Sequence, residues 1–70
     1  MFIRIVKEGN ESLYECDRIH LRQLSDSLFL DIEGRNGNVN IEIDKSTEKV
    51  AIYAMNSTDG RTIDTLFKNS

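Results

Sequence analysis

The chain has 70 residues, 39% hydrophobic and 30% charged, with a formal net charge of −3, no proline, no tryptophan and one cysteine. A chain this short buries only about 60% of its unfolded surface, so its stability margin is thin, but the composition is that of a globular protein and excludes disorder. The mild, mixed charge gives no whole-chain attraction to nucleic acid or an anionic membrane, and Cys16 alone cannot form an internal disulfide, which points to a reducing, cytoplasmic setting.

Residues 1–7 lack the apolar core and cleavage site of a signal peptide and are too short for a membrane span. From there on, apolar and polar residues alternate at the period of two expected of half-buried strands. Folding about Gly9 and Asn10 sets Ile5 against Tyr14, Ile3 against Cys16 and Arg4 opposite Glu15. Folding about Ser25 and Asp26 sets Leu21 against Leu30 and Ile19 against Ile32, while the other face pairs Arg18 with Glu33, His20 with Asp31 and Arg22 with Phe29.

A loop of Gly34, Arg35, Asn36 and Gly37 then sets Ile32, Leu30 and Leu28 against Val39, Ile41 and Ile43. The rival two-residue turn at Asn36 and Gly37 is disfavoured because it opposes Asp31 to Glu42. A loop at residues 45–48 sets Ile43 against Val50, Ile41 against Ile52 and Val39 against Ala54, with Asp44 opposite Lys49. Asp59 and Gly60 signal a tight turn that sets Ala54 against Thr65, Ile52 against Phe67 and Tyr53 opposite Leu66. The expectation is one all-β domain over residues 1–70: an antiparallel meander of six to seven short strands forming a curled sheet or small barrel, with residues 2–8 and 61–67 as open edges.

The alternative is an α+β chain with one helix at about 11–24, where Gly and Pro are absent and Ser12, Leu13, Tyr14 and Glu15 fit a capping box. A helical stripe of Leu13, Tyr14, Cys16, Leu21 and Leu24 would, however, include Asp17 and leave out Ile19, which favours strands. The strand reading needs a bend or an extra residue near Asp17 and Arg18, because the inward phase passes from Tyr14 and Cys16 to Ile19 and Leu21.

In these registers His20, Asp31, Asn40, Tyr53 and Leu66 form one exposed row. A histidine beside an aspartate is the arrangement that orients an imidazole for acid–base work, but no Ser, Thr or Cys nucleophile shares the row, so a surface ion pair is the expectation and no catalytic residue is assigned. One His and one Cys on opposite faces cannot supply a zinc site, the carboxylates lack calcium-loop spacing, and every glycine serves a turn, so neither metal nor cofactor is expected.

Two surfaces remain. Arg18, His20, Arg22 and Phe29 form a basic strand face with an aromatic, which could stack single-stranded bases, although Asp31 and Glu33 lie beside it. The outer face also carries Phe2, Val6, Leu13, Phe29, Ala51, Tyr53, Met55 and Leu66, more apolar surface than isolated exposure explains. The leading expectation is a non-enzymatic protein-interaction module, self-associating as a homodimer or serving as a small accessory subunit. It would dock through Phe29, Tyr53, Met55 and Leu66 or by pairing an edge strand. The alternative is a nucleic-acid-binding β domain using the Arg18, His20 and Arg22 face.

Overall fold

The computed structural model describes residues 1–56 and 62–69. Seven strands follow one another: β1 (Phe2–Lys7), β2 (Asn10–Glu15), β3 (Arg18–Leu24), β4 (Ser27–Gly34), β5 (Gly37–Asp44), β6 (Val50–Met55) and β7 (Thr62–Lys68). They build two antiparallel sheets, β2-β1-β6-β7 and β3-β4-β5, which do not close into a barrel. Residues 11–24 are strand on both sides of a bend, which removes the helical alternative. Among the described residues no helix is long and apolar enough to cross a membrane.

The two sheets share one core. Ile3, Ile5, Val50, Ile52 and Ala54 from the larger sheet meet Leu28, Leu30, Ile32 and Ile43 from the smaller, with Tyr14, Ile19, Leu21, Ile41, Leu66 and Phe67 packed around them. Neither sheet can bury its apolar face alone, and stacking them covers both inner faces at once.

The central hairpins form as the alternation requires. Ile19 lies opposite Ile32, His20 opposite Asp31 and Leu21 opposite Leu30, across a turn of Ser25 and Asp26 in which Ser25 takes φ 50°. Leu28, Leu30 and Ile32 face Ile43, Ile41 and Val39, although pairing extends to Gly34 and Gly37 and shortens the loop to Arg35 and Asn36. Gly37 takes φ 122°, a conformation that favours glycine.

Three expected pairings differ. The first hairpin turns one residue earlier, on Glu8 and Gly9 with φ 50° and 82°, the left-handed pair of a tight hairpin turn. Ile3 therefore faces Tyr14 and Ile5 faces Ser12. Moving the turn by one residue shifts the register by two, so every side chain keeps its face, which is why alternation could not distinguish the two.

The larger correction concerns β5 and β6, which do not pair. Residues 45–49 carry the chain from one sheet to the other, and β6 pairs instead with β1, setting Ile3 against Ala54, Ile5 against Ile52 and Lys7 against Val50. This places β1 inside its sheet rather than at an edge; the edges are β2, β7, β3 and β5. Asp44 does not face Lys49, since its carboxylate accepts from Ser46 Oγ at 2.6 Å and Ser46 N at 3.0 Å.

Asn69 fastens this corner: its Oδ1 accepts from Val50 N at 2.7 Å and its Nδ2 donates to the carbonyls of Lys45 and Glu48. Lys49 N donates to Glu8 Oε1 at 2.7 Å, and Lys7 Nζ lies 2.8 Å from Glu48 Oε2.

The other crossing is the bend at Cys16 and Asp17. Cys16 N donates to Met1 O, just ahead of β1 of the larger sheet, and Asp17 N to Glu33 O in the smaller, so the change of inward phase is a change of sheet. Between β6 and β7, Ile52 faces Phe67 as expected, but register shifts then set Tyr53 opposite Thr65 and Ala54 opposite Asp64. The expected turn at Asp59 and Gly60 lies outside the described residues.

Candidate functional site

The expected exposed row is divided between the sheets. His20, Asp31 and Asn40 form a row on the outer face of β3-β4-β5, whereas Tyr53 stands on the outer face of the other sheet in the row Leu13, Arg4, Tyr53, Thr65. Phe29 is likewise on the opposite side of the molecule from Tyr53 and Met55, so the four residues expected to form one apolar patch do not come together. Met55 is only 3% exposed, and Leu66, at the irregularity in β7, packs against the core. The bulge turns Leu66 inward, which strict alternation through residues 62–68 could not foresee.

On the smaller sheet, the outer rows are Arg18, Glu33, Asn38; then His20, Asp31, Asn40; then Arg22, Phe29, Glu42. Glu33 serves both neighbouring bases, with Oε2 3.5 Å from His20 Nε2 and 4.0 Å from Arg18 Nε. The imidazole thus has its close contact with Glu33 rather than with Asp31, its direct cross-strand neighbour. The Arg22 guanidinium lies over the Phe29 ring at 5.5 Å. These contacts are exposed and well solvated, which makes each of them weak.

The larger sheet presents a different outer face. Phe2, Val6 and Tyr53 are half-buried, Leu13 is 47% exposed, and Arg4 stands among them. The Arg4 guanidinium lies 5.3 Å from the Tyr53 ring centroid, and its Nε is 3.5 Å from Glu11 Oε1 without hydrogen-bond geometry.

A cleft of about 550 Å³ lies between the end of β2 and the β4-β5 hairpin, lined by Tyr14, Glu15, Gly34, Arg35, Asn38 and Val39. Gly34 makes this approach possible, because a Cβ there would stand 3.0 Å from the Glu15 carbonyl oxygen. In the sequence Gly34 reads as a turn residue, and nothing in the local pattern shows that a distant carbonyl lies against it.

Cys16 is buried at the sheet crossing, and burial pushes its thiol above the ordinary range, so it is a packing residue and a poor nucleophile at neutral pH. Among the described residues no group of three or more His, Cys, Asp or Glu side chains is placed to hold a metal ion. No family model matches the chain, and no curated protein or solved structure shows significant similarity to it.

Proposed function

We propose that this chain is a non-enzymatic protein-interaction module that self-associates through the outer face of its four-stranded sheet. The observation that carries the reading is the makeup of that face, where Phe2, Val6, Leu13 and Tyr53 surround Arg4 and its cation–π contact. The pairing also makes the face self-complementary. A two-fold axis parallel to the strands carries β2 over β7 and β1 over β6. It sets Glu11 over Lys68 of the partner subunit and Arg4 over Tyr53 of the partner subunit, because Glu11, Val6, Ala51 and Lys68 share one row and Arg4 and Tyr53 the next.

Four strands about 4.8 Å apart and five residues long give a footprint of roughly 300–400 Å² per subunit, about half of the roughly 800 Å² per partner of a standard specific interface. The association is therefore weak and concentration-dependent. Sedimentation equilibrium over a range of concentrations tests it: the mass should rise toward a dimer, Leu13→Lys should abolish the rise, and Glu11→Lys should weaken it. Combining Glu11→Lys with Lys68→Glu should restore it. A monomer at all concentrations up to about 1 mM, where even a weak dimer populates, would end this reading.

Single-stranded nucleic acid on the β3-β4 face is the second reading, favoured by the Arg22 and Phe29 stack. Asp31, Glu33 and Glu42 stand on the same face and repel phosphate, which places it behind the first.

A further inference from the structure

We propose that the free edge of β3 is a docking site for an extended strand of another protein, one that alternates carboxylates with aliphatic side chains. Among the described residues β3 pairs on one side only, with β4. In a hairpin closed by a two-residue turn the flanking residues, here Leu24 and Ser27, exchange both backbone hydrogen bonds. Every second residue from Leu24 therefore turns its peptide groups toward β4, and Ile19, Leu21 and Gln23 turn theirs away from the sheet. Among the described residues these three make no backbone hydrogen bond outside the ladders. The edge is an open row of donors and acceptors of the kind that strand addition uses.

The side chains specify what the row accepts. β3 carries Arg18, His20 and Arg22 on its outer face and has no acid, whereas β5, the opposite edge of the same sheet, carries Glu42 and Asp44 and has no base. Among the described residues, β4 sets two acids, Asp31 and Glu33, beside the three basic side chains of β3. Glu33 is shared between Arg18 and His20, and Arg22 faces Phe29 instead of a carboxylate. An added strand lies about 4.8 Å away, so carboxylates at every second position meet this line of bases directly.

On the inner face Ile19 and Leu21 are half-buried at the rim of the core, and aliphatic residues at the intervening positions would extend that layer. The chain already meets β3 in this way from its other side, where β4 supplies Leu30, Asp31, Ile32 and Glu33.

Two other occupants, a second β3 and a phosphate chain, fit less well. A second β3 laid antiparallel on this edge opposes Arg18 to Arg22 when centred on His20, and His20 to Arg22 when centred on Leu21. A phosphate chain crossing the face meets Asp31, Glu33 and Glu42, whereas a strand at the edge meets the bases first.

The test is amide hydrogen exchange on the whole protein with a capped heptapeptide that alternates valine and glutamate, alongside the same peptide with lysine for glutamate and an oligo(dT) octamer. The glutamate peptide should slow exchange at Ile19, Leu21 and Gln23 by at least about tenfold at saturation. Arg18→Glu combined with Arg22→Glu should weaken its binding by at least about tenfold and should admit the lysine peptide instead. Four results would overturn the proposal: equal binding of the lysine peptide to the unaltered protein, comparable binding of the oligonucleotide on β3, no protection at millimolar glutamate peptide, or protection of the same amides that rises with protein concentration alone. The first and third are read on the unaltered protein, so the proposal stays exposed even if the double variant does not fold.

Discussion

Replacing Asn69 by alanine should loosen the corner at which the chain passes between sheets. Val50 is fully buried, and its amide donates to Asn69 Oδ1 at 2.7 Å, so the substitution leaves a buried donor without its acceptor. That alone costs about 1–3 kcal/mol, and losing the Nδ2 bonds to Lys45 and Glu48 adds roughly 0.5–1 kcal/mol each. The sum, about 2–5 kcal/mol, is comparable with the roughly 3–5 kcal/mol that a domain of this size draws from its core. Asn69→Ala should therefore be close to half-unfolded at room temperature. Urea denaturation followed by circular dichroism measures the change, with Asn40→Ala on the exposed face of β5 as the control expected to stay within about 0.5 kcal/mol. If Asn69→Ala moved the midpoint no further than Asn40→Ala, the corner would not depend on this clasp and the reasoning would be refuted.

Gly34→Ala brings a methyl group 3.0 Å from the Glu15 carbonyl at a position whose backbone is ordinary, so its cost is steric, about 1–2 kcal/mol, and calorimetry should show the melting temperature falling by roughly 5–15 °C. Hydrogen bonds from the Ser46 hydroxyl and then the Ser46 and Thr47 amides hold the Asp44 carboxyl below its usual range, and Lys7 followed by the Asp44 amide does the same for Glu48. Because both groups are more acidic folded than unfolded, their contribution is complete above the ordinary carboxylate range and is lost as pH falls through and below it, under about pH 5. Thermal melts across that range should show the loss, and Asp44→Asn combined with Glu48→Gln should flatten the slope.

The strands themselves were legible in the sequence because alternation is local: Leu28, Leu30 and Ile32 against Ile43, Ile41 and Val39 is a match between neighbours in the chain, and both faces agree in only one register. The bend at Cys16 and Asp17 was legible for the same reason, as a slip in phase. On the candidate surfaces, the line of Arg18, His20 and Arg22 opposite Glu33, Asp31 and Phe29 follows directly from that register.

What the local pattern could not decide is which strands meet across the core. β5 and β6 alternate in matching phase and would pair acceptably, yet β6 pairs with β1 because seven strands in one open layer leave an apolar face in water, and two stacked sheets do not. That choice split the apolar outer residues between opposite sides of the molecule and moved β1 from an edge to the interior. Local alternation determined which side chains share a face of each strand; the long-range need to cover both inner faces decided which faces lie together, and with them which surfaces are free to bind.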